Sequence, residues 1–291
     1  MQKLKDILEL IVFKHSIFAL PFLIISMLSA IKLNDLGLKD IWLNFILAII
    51  CAVSARSYAM AMNRLLDAKI DALNERTKNR PSVDGRIGRF NLTLFIIFCA
   101  IIFITFAYFI NTTCFYLSFF VLILLGSYSL FKRFSYLAHI ILGFCLGFAC
   151  IAGEIVLTNS VSAYSIALCF GVCFWTAGFD CLYALQDLEF DKNNKLHSIP
   201  SYFGADATLF IAFIFHIIAV LFWLVFLTSV IAGFYAYLGL FVVVCLLLYE
   251  HFLVRKNYNQ IEKAFFNVNA MISIVFLVFF IIDLGANYGN V

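Results

Sequence analysis

The sequence predicts an all-α integral membrane protein, a bundle of nine transmembrane helices, on three observations. Hydrophobic types make up 64% of the 291 residues, against roughly 45–50% in a soluble domain. The apolar runs are continuous over the ~20 residues that a membrane helix needs, without the alternation of a barrel strand. Lysine and arginine fall almost entirely on one side of those runs, the signature of cytoplasmic loops. Charged residues are only 13% and mean hydropathy is +1.02, which excludes a free soluble enzyme. The 35 Phe and 13 Tyr exclude a disordered chain. One domain over 1–291 is expected, with the lipid bilayer as a partner and no nucleic acid.

The spans follow in order. The first, 12–31, opens beside Lys3, Lys5 and Lys14. Ser29-Ala30 mimics a signal-peptide cleavage site, but eight further spans and the N-terminal lysines fit an uncleaved helix better. The second, 41–62, runs into a loop carrying Arg64, Lys69, Arg76, Lys78, Arg80, Arg86 and Arg89. The third and fourth, 91–110 and 115–131, return the chain to Lys132 and Arg133. The fifth and sixth, 136–157 and 162–183, lead to Lys192 and Lys195. The seventh and eighth, 207–229 and 232–250, lead to Arg255, Lys256 and Lys263, and 265–283 is the ninth. Seventeen of the 20 basic residues thus share the side of the N-terminus, Lys32 and Lys39 lie opposite, and Arg56 sits within the second span. The nine cysteines include no Cys-x-x-Cys pair and are read as small packing residues, with neither disulfide nor zinc expected. Glu154, a lone acid near the outer end of its span, is read as snorkelling to the interface.

Charge is scarce, so its placement within these spans carries information. Asn63, Asp67 and Asp71 recur at steps of four, and a shift of 120 residues lays Asp67 on Asp187, Asp71 on Asp191 and Asn63 on Tyr183. On a continuous helix each set forms one stripe, Arg56 joining the first and Asp180 the second. Both stripes fall at cytoplasmic helix ends. Carboxylates one turn apart repel by a few tenths of a kcal/mol, which a divalent cation relieves. Mg²⁺ takes one or two carboxylates together with phosphate oxygens, so the expected ligand is a phosphorylated substrate bridged by Mg²⁺. The basic rim of Arg76, Lys78, Arg80, Lys132 and Arg133 suits an anionic diphosphate. Tyr128 and Tyr183, near the motifs, offer ring faces to a developing cation.

These residues resemble the signatures of UbiA-type aromatic prenyltransferases. Arg56, Asn63-x3-Asp67-x3-Asp71 and Arg76-Thr77-Lys78-Asn79-Arg80-Pro81 are similar to the first, Tyr183-x3-Asp187-x3-Asp191 to the second, and Tyr128-x3-Lys132-Arg133 to a smaller third. Arg64 stands where the family has an aspartate, removing one metal ligand. Asn63-Arg64 with Leu196-His197-Ser198-Ile199-Pro200 resembles a subgroup of futalosine-route menaquinone prenyltransferases, whose acceptor is 1,4-dihydroxy-6-naphthoate rather than 4-hydroxybenzoate. The resemblance implies a central cavity open to the cytoplasm and laterally to lipid, and Mg²⁺-dependent transfer from polyprenyl diphosphate to an aromatic hydroxy acid. It implies Asn63, Asp67, Asp187 and Asp191 as metal ligands and Asp71 as their support. Arg56 would take the acceptor carboxylate, Asp180 would join the substrate-binding set, and Tyr128 and Tyr183 would shield the allylic cation. A transporter is the rival from another class, but the polar residues gather at one face rather than at a midplane. A CDP-alcohol phosphotransferase is the enzymatic rival, and its longer acidic motif is absent.

Overall fold

The computed structural model describes residues 2–256 and 261–288. The side chains of Lys3, Lys14, Lys39 and Lys263, which enter the charge count, lie outside what it describes. Nine helices among the described residues are long and apolar enough to cross a membrane. They are α1 Ser16–Asn34, α2 Ile41–Leu66, α3 Arg89–Ile110, α4 Thr112–Arg133, α5 Ala138–Thr158, α6 Ala163–Asn193, α7 Ala205–Ser229, α8 Phe234–Lys256 and α9 Phe265–Asn287. Each expected span has its helix. The sixth differs most, since the helical segment runs on to Asn193 and includes the second acidic motif.

Two compact units contain these helices, one of Met1–Ser16 and Trp42–Leu130, the other of Ile17–Ile41 and Phe131–Val291. In the first unit, α3 and α4 pack as a pair and expose most of their apolar surface, as helices facing hydrocarbon do. The second unit is built around α6, the most buried of the nine, between α5 and α7. Small residues permit this. A Cβ on Gly143 or Gly147 of α5 would stand 2.3 or 2.6 Å from the carbonyl oxygen of Cys173 or Cys169. The two backbones therefore meet along a Gly-x3-Gly face, the packing available where lipid removes the hydrophobic drive between helices. Phe22, Trp175, Trp223 and Phe276 fill the centre, with Phe22 stacked on Trp223 at 5.7 Å.

Some buried polar groups of this unit pair with one another, as a low-dielectric interior favours. Trp175 Nε1 donates to Asn269 Oδ1 at 2.8 Å, and Asn269 Nδ2 donates to Glu250 Oε1 at 2.6 Å. Asp283 of α9 accepts from the backbone of Gly233, Tyr235 and Ala236 at the start of α8. Glu154 corrects the sequence reading: it is 1% exposed and does not snorkel. Its carboxylate accepts from Ser162 N at 2.8 Å and from the Ser162 and Ser165 hydroxyls, closing the α5–α6 turn by capping the N-terminus of α6. Glu154→Ala leaves three donors without this acceptor. It should lower the detergent-solubilised unfolding midpoint by about 6–10 °C, measured by thermal scanning against wild type, and an unchanged midpoint would refute the capping role.

Candidate active site

Both acidic motifs fold the same way, and neither lies on an uninterrupted helix. The continuous stripes expected from the spacing are corrected here. The long helix of α2 ends at Leu66, and Asp67, with φ −94° and ψ 4°, opens a separate helix Ala68–Leu73. In α6 a 3₁₀ turn Leu185–Asp187 intervenes, and Asp187, with φ −102° and ψ 7°, opens Leu188–Asn193. Both aspartates occupy the bridge region of backbone space, where many active-site residues sit. Four residues beyond each lies a second carboxylate, Asp71 (7% exposed) and Asp191 (2% exposed). Each has a buried oxygen, Asp71 Oδ2 and Asp191 Oδ1, without a hydrogen-bond partner among the described residues. The 120-residue shift seen in the sequence is thus repeated in local geometry.

In the first motif, Asn63 Nδ2 donates to Asp67 Oδ2 at 2.9 Å, and Asn63 Oδ1 accepts from Arg64 Nη1 at 3.0 Å. Arg64 is buried and also donates from Nε to Leu10 O at 3.3 Å. An arginine beside the amide oxygen and a carboxylate beside the amide nitrogen leave the Asn63 amide one orientation. Arg80 Nη1 reaches Asp71 Oδ1 at 2.7 Å, so this member of the basic rim holds the motif itself. Lys78 pairs with exposed Glu75, and Arg76 is half-buried, its backbone N donating to Asn74 Oδ1. Thr77 Oγ1 ties the loop back to Asp71 O at 2.9 Å.

Arg86 pins the far end of that loop, reaching Glu9 at 2.7 and 2.9 Å, Asp84 at 2.7 Å and Asn79 O at 2.9 Å. The guanidinium holds the Glu9 carboxyl below its ordinary value of 4.5. A depressed carboxylate contributes fully above that ordinary value and loses its contribution as pH falls through the lowered one. Arg86→Ala should speed proteinase K cleavage within 74–88 about two- to fivefold at pH 7, and an unaltered rate would show the clamp to be idle.

Arg56 lies in α2 seven residues, two turns, before Asn63. Its Nε is buried without a hydrogen-bond partner among the described residues. Tyr128, at the start of a 3₁₀ turn Tyr128–Arg133, is close enough to act on it electrostatically.

In the second motif, Asp191 is surrounded. Ser198, Lys132, Asp187 and His139 all lie close enough to act on its charge. Leu196 N donates to Asp191 O at 2.9 Å, and His197 N to Lys132 O at 2.7 Å. Tyr183 packs on Phe265 with centroids 4.2 Å apart, and Arg133 is exposed. Asp180 Oδ2 meets His139 Nδ1 at 2.7 Å, and Ile199 N donates to His139 Nε2 at 3.2 Å. His139 and Ser198 escaped the reading of the sequence as site residues. His139 carries no local signal, since its partners stand 41 and 60 residues away. Ser198 belonged to a noted segment, and its capping-box spacing to Ser201 was the available clue.

Among the described residues no three His, Cys, Asp or Glu side chains form a ready-made metal cage. Within each motif the carboxylate donors are nevertheless oxygens, one of them buried and without a hydrogen-bond partner among the described residues. That suits a hard cation held by one or two carboxylates and completed by phosphate and water.

Residues 19–280 match the UbiA prenyltransferase family. The chain is 30% identical over 216 residues to the 4-hydroxybenzoate octaprenyltransferase of Marinobacter nauticus, covering 74% of this chain and 73% of that one. It is 27% identical over 252 residues to the enzyme of that name from Pseudoalteromonas translucida, covering 86% and 85%. Among solved structures, an apo UbiA homologue from Aeropyrum pernix K1 superposes with a TM-score of 0.83 at 26% identity, over 94% of this chain and 98% of that one. A UbiA homologue from Archaeoglobus fulgidus bound to GPP and Mg²⁺ shares the fold, with a TM-score of 0.69 at 20% identity over 94% and 99%.

Proposed function

Because the chain belongs to the UbiA prenyltransferase family, whose members are enzymes of prenyl transfer, we propose that it transfers a polyprenyl group from polyprenyl diphosphate to an aromatic hydroxy acid. The observation that carries this reading is the repeated motif geometry, a bridge-region aspartate followed by a shut-in carboxylate with one unpartnered oxygen. Asp67, Asp187 and Asp191, with Asn63, would hold Mg²⁺, and Asp71, set by Arg80, would support them. When bound, Mg²⁺ supplies charge neutralisation that makes the diphosphate a better leaving group. Arg76, Lys78, Arg80, Lys132 and Arg133 receive the departing diphosphate. Tyr128 and Tyr183 turn ring faces to the allylic cation, while apolar walls keep water from quenching it. Arg56 takes the acceptor carboxylate with a forked pair of donors. Asp180 lies with the acceptor, and the ring loses a proton after attack.

The acceptor is 1,4-dihydroxy-6-naphthoate or 4-hydroxybenzoate. The Leu196–Pro200 segment favours the first and the names of the curated relatives the second. Membranes carrying the protein, given Mg²⁺, a long polyprenyl diphosphate and both acids in competition, should yield one prenylated acid by mass spectrometry. No prenylated aromatic product from either would overturn the reading.

In this reading the cavity opens to the cytoplasm of the bacterial inner membrane, and the prenyl tail leaves laterally into lipid. The asymmetry of Lys and Arg supports that orientation. Single cysteines at Asn79 and Asn194, both exposed, in a cysteine-free background should resist an impermeant thiol reagent in intact cells and react in inverted vesicles. Opposite labelling of the two sites would end the shared-site mechanism, because ~30 Å of hydrocarbon would then separate the motifs.

A further inference from the structure

His139 sits in the first turn of α5, 4% exposed, and makes two directional bonds. Ile199 N is a backbone amide and can only donate, so Nε2 of His139 must present its lone pair. The single proton of a neutral imidazole is then on Nδ1. Nδ1–H donates to Asp180 Oδ2 at 2.7 Å, a hydrogen bond strengthened by the carboxylate charge. The tautomer is thus dictated by the backbone of another segment. That segment has further attachments: Leu196 N to Asp191 O and His197 N to Lys132 O. Its own short helix, Ile199–Phe203, is closed by a Ser198–Ser201 capping box. One rigid strip therefore touches the second acidic motif at one end and, through His139, Asp180 at the other. Asp180 is about a quarter exposed, and its other oxygen takes no hydrogen bond from a described residue.

We infer that His139 is a positioning residue for the aromatic acceptor: it fixes the Asp180 carboxylate so that the free oxygen is aimed at the acceptor hydroxyl, and segment 196–201 fixes His139 in turn. This rests on the reading that Asp180 touches the acceptor. His139 touches no substrate, so its removal loosens Asp180 without removing a donor to diphosphate.

The test uses the full-length solubilised protein with Mg²⁺, polyprenyl diphosphate and whichever aromatic acid it prenylates. His139→Ala should raise the acceptor KM about tenfold or more, the loss of one charge-assisted hydrogen bond, with the polyprenyl diphosphate KM held within about twofold. His139→Asn places an amide N–H where Nδ1–H stood and should bring the acceptor KM back to within about threefold of wild type. His139→Gln offers its carbonyl to Ile199 N but no donor to Asp180, and should leave the acceptor KM raised. Should the alanine variant fail to give a monodisperse protein, the Asn and Gln variants decide alone, since each keeps one of the two bonds. An unmoved acceptor KM, a proportional rise for both substrates, or rescue by Gln rather than Asn would overturn the proposal; the last would make His139 a mere anchor for the segment. A wild-type protein that prenylates no aromatic acid would remove the proposed function itself. Wild-type turnover with an insensitive acceptor KM would remove only the role of His139.

Discussion

Asp67→Asn and Asp187→Asn should each reduce prenyl transfer by about 10²–10³-fold, the scale lost when one preorganised group facing developing charge is removed. The side chains are nearly isosteric, so shape is kept and one negative charge disappears. Both aspartates occupy the same backbone conformation at the head of a six-residue helix, and for that reason the two variants should behave alike. Their loss weakens cation binding, so the Mg²⁺ concentration for half-maximal rate should rise as the maximal rate falls. Chelation of wild type with EDTA should reproduce the inactivity and added Mg²⁺ should reverse it. Asp67→Asn carries a second consequence. Asn63 Nδ2 now donates to Asp67, and an amide in place of the carboxylate can oppose N–H to N–H, disturbing the amide that Arg64 holds. Full turnover by both variants in EDTA would dispose of the metal-bridged mechanism.

The second large effect is expected at Arg56. Its Nε is buried and unpartnered among the described residues, two turns before Asn63 along α2. In the proposed reading this guanidinium receives a planar anion, and a carboxylate matches its fork. Arg56→Ala should therefore raise the acceptor KM by about 30-fold or more, the scale of truncating one partner of a buried charge pair. The polyprenyl diphosphate KM should change little. An ester of the acceptor acid, lacking the carboxylate charge, should show a much smaller difference between wild type and variant. A rise confined to the diphosphate KM would instead assign Arg56 to the leaving group.

The nine spanning helices among the described residues and the two aspartate motifs were legible in the sequence because each depends on local residues. In hydrocarbon a helix satisfies its own backbone, so an apolar run of sufficient length specifies its own structure without reference to neighbours. The repeat of Asp67 and Asp71 at Asp187 and Asp191 needs only a register shift to be seen. The family resemblance carried on those residues agrees with the match over 19–280. What the periodicity alone missed was the interruption of both helices at Asp67 and Asp187. A stripe drawn at 100° per residue assumes regular backbone, whereas an aspartate can leave it to open the next helix.

Tertiary structure decided everything that depends on residues far apart in the chain meeting. Glu154 looked like an acid near the interface, and only the fold put the Ser162 amide and two hydroxyls around it. Arg80 was one of a basic rim until packing set it on Asp71. Arg64, the departure from the family pattern, gained a role from its bonds to Asn63 and Leu10. His139 bears on the site through partners 41 and 60 residues distant. The physical division is one of range. Burial of an apolar run in lipid is a property of that run, but the orientation of a buried polar side chain is set by whichever donor or acceptor the folded chain brings within about 3 Å, and no local pattern encodes that meeting.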